Sequence, residues 1–402
     1  DFMSSSFDYD VIIAGGGPAG ASAATHLAMR GARVLLAEQK KFPREKLCGE
    51  FISPECVGHF ERLGVIDRML AAGPARLNET VFYARNGRSV GVPSTWFGAN
   101  GAALGLSRAE MDERLFRRAG EAGVTVLEDT PVVDLLFEKA EVCGVGLKSA
   151  GNQISYRAPV TIDATGRARA LARRVGPHRP KSNRAPLVAF KAHLEDARVA
   201  PGACEIYFYQ GGYGGLSSIE DGRSNLCFIA SARDVRACAA NPERVKREIV
   251  CQNARAAHTL AKARARSPWL AVTLESFGRH QIAPAKGLLT IGDAASFIDP
   301  FTGSGMLMAL ESGELVAEVI LDHLETVRSG RGFGELSAQY RVAYEKRFDS
   351  RLRICSLLRQ AAFVPGLAEM AIRFFRTSDR LRQFVTRATR GTSGDNLRSA
   401  AS

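Results

Sequence analysis

A short apolar run at residues 9–14 (YDVIIA) leads directly into Gly15-Gly16-Gly17-Pro18-Ala19-Gly20. This junction limits the possible folds more than any other part of the 402-residue chain. The run predicts a buried strand, and a helix then extends to about Arg30. A second strand follows at residues 33–37, ending on the acid Glu38. In Gly15-x-Gly17-x-x-Gly20 the first glycine permits the tight turn and the second lets the backbone approach a pyrophosphate. The third allows close helix–strand packing. The phosphates belong at the helix N-terminus, where unpaired N–H groups and the helix dipole favour an anion. Glu38 is placed to accept hydrogen bonds from ribose hydroxyls, and an acid there disfavours a 2′-phosphate. Strand, helix and acid in this register predict dinucleotide binding.

Further along the chain, a capping box at Ser107 and Glu110 starts an amphipathic helix over residues 107–122. Another helical stretch is expected at residues 54–72, strands at 124–127, 131–137, 142–148 and 160–164, and helix again at 241–265. Residues 186–232 change character. Short β-rich runs separated by Gly211-Gly212 and Asp221-Gly222 predict an antiparallel sheet. After Gly292-Asp293 the pattern is helical to about Val327, and the last seventy residues are helical with a break at Pro365-Gly366. The fold class expected is α/β: a Rossmann-like dinucleotide domain with an inserted antiparallel β-sheet substrate domain and a helical C-terminus. The nucleotide domain takes residues 7–80, 107–184 and 276–328. The substrate domain takes 81–106 and 185–275, and the basic helical region takes 329–402.

The 46% hydrophobic and 24% charged shares are ordinary for a globular protein. No apolar run is long enough to predict a membrane-spanning helix. The opening residues lack a basic segment followed by an apolar one, so no secretion signal is expected; Asp1 and Phe2, ahead of Met3, are set aside. The eight cysteines are scattered without a C-x-x-C pair, which predicts reduced thiols in the cytoplasm. No His/Cys spacing predicts a metal site. Of the net charge of +12, residues 331–402 contribute +8, from 14 Arg/Lys against 6 Asp/Glu. That excess is either a solvated helical face or a dock for an anionic membrane surface or an acyl carrier protein. No recognition motif accompanies it, which argues against nucleic acid.

Three other segments bear on chemistry. In FPREKLCGE (42–50), Arg44 and Lys46 suit phosphate neutralisation, a position beside a cofactor ring, or an ordinary basic loop. DATGR (163–167) ends a strand in a small-residue turn. IGDAASFIDPFTGSGM (291–306) ends another strand on Gly292-Asp293 and feeds a glycine-rich loop into a helix. That helix N-terminus suits an anionic reduced cofactor.

Together these segments resemble the para-hydroxybenzoate-hydroxylase-fold flavoproteins: the class A monooxygenases, the geranylgeranyl reductases and the flavin-dependent halogenases. The resemblance runs from Phe7 to about Val327. GGGPAG with Glu38, then DATGR, then GDAASFIDPFTGSGM match that superfamily's three FAD fingerprints. FPREKLCGE and the GYGG-containing sheet are most similar to the geranylgeranyl-reductase-like branch. The resemblance implies FAD contacts at Gly15, Gly17, Ala19, Gly20, Glu38, Arg108, Val132, Asp293, Gly303, Gly305 and Met306. It also places Arg44 and Cys48 near the isoalloxazine, as the candidates closest to catalysis. The halogenase W-x-W-x-I-P motif is absent.

The implied function is FAD-dependent oxidation–reduction with NAD(P)H as electron donor. An O2-using monooxygenase acting on a lipophilic or polyketide-like substrate, free or carrier-bound, leads. An ene-reductase saturating an isoprenoid or polyene is the alternative, and a catalytically silent FAD-binding partner protein is a third reading. Tyr207, Tyr209 and Tyr213 are expected either to line the substrate pocket or to fill the core. No general acid or base is evident.

Overall fold

In a computed structural model the chain is described over residues 7–97, 101–176, 186–274, 277–299, 303–362 and 366–389. Its centre is a five-stranded parallel sheet in the order Leu288–Thr290, Val160–Asp163, Val11–Ala14, Val34–Ala37, Thr125–Leu127. The central strands are buried on both faces, which is why they read as continuous apolar runs rather than alternating ones. Period-two geometry divides their side chains between two layers. Val11, Ile13, Val34 and Leu36 face the helices Pro18–Ala28 and Gly305–Asp322. Ile12, Ala14, Leu35 and Ala37 face Leu135, Val145 and Leu147 of a three-stranded antiparallel sheet, Val132–Glu138, Glu141–Ser149 and Asn152–Arg157. The two helices cross at very short range. A methyl on Gly313 would come within 2.5 Å of the Ala19 carbonyl oxygen, so only small residues fit there.

The second sheet has eight strands. Its main path runs Arg264–Ala265, Leu187–Glu195, Ser224–Ser231, Gly212–Ser218, Ala203–Tyr209, Glu79–Tyr83, Ser89–Pro93, and Leu270–Leu274 also pairs with Leu187–Glu195. It is antiparallel except where Ala203–Tyr209 meets Glu79–Tyr83 in parallel, because those segments come from distant parts of the chain and need no hairpin.

Several helices are shorter than the sequence pattern suggests. The stretch at 54–72 is two helices, Glu55–Leu63 and Ile66–Ala71, divided at Gly64, which adopts φ 68° and stops the first. The helix expected from Gly292 begins only at Gly305, after a single turn at Gly292–Ala294 and the strand Ser296–Phe297. Pro300, Phe301 and Thr302 lie outside the described residues. The stretch 241–265 resolves into Pro242–Glu248, Ala254–Thr259 and a short strand. The break is built around Asn253, whose amide donates to the carbonyls of Tyr83, Ala84 and Phe208, each at 3.0 Å. The capped helix forms as Arg108–Glu121, with Ser107 Oγ accepting from the Glu110 N–H at 3.3 Å.

The helix Phe333–Ala362 is integral to the nucleotide-domain core. Leu336, Tyr340, Tyr344 and Phe348, four residues apart, enter the same apolar cluster as Val11 and Ile13. Two shorter helices, Leu367–Phe375 and Asp379–Ala388, then cross to the second sheet and pack on Ser89–Pro93.

Candidate active site

The parallel strands end on one side, at Gly15, Glu38, Ala164 and Ile291, and a cavity of about 340 Å³ opens there between the two sheets. Its position outside the carboxyl ends of parallel strands is where such folds bind nucleotides.

The glycine turn separates packing from ligand requirements. Gly15 has φ 110°, and a Cβ there would sit 2.3 Å from the Ala164 carbonyl oxygen. A Cβ on Gly20 would sit 1.9 Å from the Gly15 carbonyl oxygen, so Gly20 serves backbone packing and does not border the cavity. Gly17 differs, because a Cβ there would meet only guanidinium nitrogens of Arg44 and Arg108, at 3.7 and 3.9 Å. The protein leaves open the space a pyrophosphate needs and flanks it with two cations.

Those arginines are held by Asp112, a residue the motif reading missed. Arg108 donates from Nε and Nη2 to the two Asp112 oxygens, both at 2.7 Å, and Arg44 donates to Asp112 Oδ2 at 2.9 Å. Burial works against the Arg108 charge, but Asp112, with Cys48 alongside, more than offsets it and holds the pKa above its ordinary value. Arg44 Nη2 also lies 3.3 Å from Glu38, while its buried Nε has no partner among the described residues. Glu38 accepts from the Gly16 N–H at 2.9 Å and the Lys40 N–H at 3.0 Å, which fixes its carboxylate at the end of the second strand. An open glycine, two guanidinium groups beside it and an anchored acid fit an FAD pyrophosphate and ribose.

At the other end, Asp293, Gly305, Met306 and Val132 border the cavity, as do Ala19 and Cys48. Gly303, at φ 62°, lies in the turn before the helix and is not on the wall. Asp163 of DATGR is consumed internally. It accepts from Thr165 N–H and Oγ1 at 3.0 and 2.6 Å, and from the Leu171 and Ala172 N–H groups at 3.0 and 2.8 Å. Its role is to shape the loop that brings Thr165, Gly166 and Arg167 to the cavity. Burial raises the Asp293 pKa, against Arg167, Lys46 and Arg108. Burial lowers those of Lys46 and Arg167, against the pull of Asp293. Cations thus outnumber acids around the crevice, a balance that suits an anionic ligand.

The second sheet supplies the opposite wall through Ala189, Cys227, Ile229 and Leu274, with Phe297 beside them. Burial, with Cys48 next, pushes the Cys227 thiol up to about 12, so it keeps its proton at neutral pH. Tyr207 and Tyr209 are not on this wall, which corrects the pocket expectation. They project from the sheet's other face into the helix-covered cluster with Phe228 and Val245. Tyr207 donates to Glu205 at 2.6 Å and Tyr209 to the Ile229 carbonyl at 2.9 Å. Tyr213 is on the cavity-side face but does not border the cavity, and its hydroxyl donates to Asp299.

The sheet also brings Lys191 and His193, which no motif marks, against Glu45 and Glu50 of FPREKLCGE, in a polar cluster buried except at Glu45. Lys191 donates to Glu45 at 2.5 Å and Glu50 at 2.6 Å, and His193 Nε2 lies 2.7 Å from Glu50. Glu50 also accepts the Arg108 N–H at 2.8 Å. Glu45, Glu50 and His193 stand close enough to hold a metal ion, but the Lys191 ammonium already supplies the cation between the two acids. Glu45 borders the cavity, so the cluster connects to it.

A parallel-sheet nucleotide domain with this crevice, facing an inserted sheet, defines a para-hydroxybenzoate-hydroxylase-fold flavoprotein oxidoreductase. The chain belongs to the FAD binding domain family, whose profile matches residues 8–332. Digeranylgeranylglycerophospholipid reductase of Methanocella arvoryzae is 24% identical over 357 residues, covering 86% of each chain. Menaquinone reductase of Mycolicibacterium smegmatis is 26% identical and covers 77% of this chain and 76% of its own. Among solved structures, the flavin-dependent brominase Bmp2 superposes with a TM-score of 0.81 at 22% identity, covering 96% of this chain and 94% of its own.

Proposed function

We propose that this FAD-dependent oxidoreductase uses NAD(P)H to reduce a C=C bond or quinone ring of a lipophilic, isoprenoid-type substrate. The observation that carries the reading is the pairing of an apolar wall with protonated groups at one cavity. Ala189, Ile229, Leu274 and Phe297 exclude water and receive an apolar chain, while the Cys227 thiol and the Glu45–Lys191 pair bring protons to its edge. Curated relatives that are reductases and align over most of both chains support it.

Bound FAD would supply two-electron acceptance from the nicotinamide and hydride delivery to the substrate. The chain's own residues do the rest. Gly17, Arg44 and Arg108 take the pyrophosphate, and Glu38 takes the ribose. The N-terminus of Gly305–Asp322 supplies N–H groups that favour the anionic reduced ring. Hydride addition leaves a carbanion or enolate that needs a proton. The Lys191 ammonium, held between Glu45 and Glu50, is the proton source, and it reaches the cavity at Glu45.

An O2-using monooxygenase is the second reading, favoured by the same dry apolar wall, which an oxygenated flavin also needs. Halogenation draws no support from the tryptophans. Trp269 packs on the far face of the sheet and Trp96 lies beneath Arg382. The test is turnover of a menaquinone or geranylgeranyl lipid with NAD(P)H under strict anaerobiosis and, separately, under isotopically labelled O2. A product two hydrogens heavier formed without oxygen is expected. Label incorporation, with no anaerobic product, overturns the reductase reading in favour of the monooxygenase.

A further inference from the structure

We propose that the helices Leu367–Phe375 and Asp379–Ala388 form a docking face for an anionic lipid bilayer. Each helix has an inner and an outer stripe. Ile372 and Phe375 of the first pack into the apolar cluster that contains Leu274 and Phe297 of the cavity wall. Arg382 of the second donates to the Gly91 carbonyl at 2.8 Å and lies 5.4 Å from the Trp96 ring, which fixes that helix on the same strand. At helical spacing the opposite stripes are Met370, Arg373 and Phe374 on one helix and Arg380, Phe384 and Arg387 on the other. Since both helices lie on Ser89–Pro93, both outer stripes turn away from it.

These outer stripes are unusual for a surface in water. Met370, Phe374 and Phe384 are 59%, 61% and 70% exposed. Arg373, Arg380 and Arg387 are exposed, and none has a carboxylate partner among the described residues. Large apolar side chains interleaved with uncompensated arginines are the composition of a helix that lies in a membrane interface. The rings enter the acyl boundary and the cations meet anionic headgroups. An acidic protein would be met by the arginines alone and would leave the three apolar side chains unexplained. The inner stripe abuts the cavity's apolar wall, so docking would bring a membrane-dissolved substrate to within one helix of the site. That purpose rests on the lipophilic-substrate reading, whereas the docking itself does not.

The test is co-sedimentation of the full chain with FAD bound, using vesicles of phosphatidylcholine with and without phosphatidylglycerol. Binding to the anionic vesicles is expected, weakened by high salt. Arg373→Gln with Arg380→Gln should weaken it roughly fivefold per arginine. Phe374→Ser with Phe384→Ser should weaken it roughly tenfold per ring, including the part that survives high salt. Both double variants should keep wild-type flavin content and wild-type turnover of detergent-dispersed substrate. Absence of wild-type binding to anionic vesicles at low salt overturns the proposal, as does undiminished binding by both variants. So does a finding that the arginines are needed only for binding an acyl carrier protein. Failure of the wild type to turn over any isoprenoid substrate bears on the proposed function alone, because vesicle binding is read without turnover.

Discussion

Arg108 and Asp112, one helical turn apart on Arg108–Glu121, form a two-point ion pair with both N···O distances at 2.7 Å, and Arg44 joins the same carboxylate at 2.9 Å. Two guanidinium groups from separate segments are thereby held at Gly17 before any phosphate arrives. Preorganisation of this kind strengthens binding by reducing the ordering that the ligand must impose.

Asp112→Asn should remove that organisation. Deleting one partner of a buried ion pair destabilises by about 3–5 kcal/mol, so a lowered melting temperature is expected together with loss of bound flavin. Calorimetry and flavin absorbance of the purified variant check this. Wild-type flavin retention would show that Asp112 does not organise the site.

The glycine turn makes a sharper contrast. Gly17→Ala should fold normally, since its methyl has space, yet lose most of its FAD affinity by occupying the phosphate position. Gly20→Ala should lose stability instead, because its methyl would lie 1.9 Å from a carbonyl oxygen. Thermal melts of the apoproteins with fluorescence titration of FAD separate the two. Equal melting temperatures would be inconsistent with the packing role of Gly20.

On the second sheet, Tyr207→Phe should cost about 1.5–3 kcal/mol of stability, the range for a hydrogen bond to a charged group, and leave KM unchanged. Ala189→Phe, on the cavity wall, should raise KM or abolish turnover with little effect on flavin content. Denaturant melts and steady-state kinetics check both. A Tyr207→Phe variant with altered KM and unaltered stability would return that residue to the substrate pocket.

Acid should weaken the fold through Glu50. Burial raises its pKa, but the His193 hydrogen bond and the Lys191 charge prevail and hold it below 4.5. The stabilisation is therefore complete above pH 4.5 and is lost as pH falls through the depressed value. Glu50→Gln should be less stable at neutral pH and show a shallower decline on acidification, as measured by denaturant midpoints across that window. Parallel declines in both proteins would exclude Glu50 as a source of the acid sensitivity.

The dinucleotide crevice was legible because it depends on short-range rules. A buried strand, a turn that tolerates no Cβ, a helix start and an acid at the end of the next strand all lie within residues 9–38. Each has its own backbone or charge requirement. A strand at residues 203–209 necessarily presents two faces. Local pattern could not show which face would be covered by the helices of residues 232–259 and which would face the flavin domain, and Tyr207 and Tyr209 fell on the covered one. Asp112 stands four residues after Arg108 on one helix, so that spacing could have marked it, whereas the pairing of Lys191, Glu50 and His193 escaped notice for a related reason. Burying an ion pair needs both partners, and Glu50 meets Lys191 across 141 residues of chain. Sequence alone determined the strand, glycine turn, helix start and acid that make an FAD binding domain. Tertiary packing decided which side chains of the second sheet wall the cavity and which charged groups are buried together beside it. Burial and charge pairing are properties of the space between elements, and local pattern does not encode them.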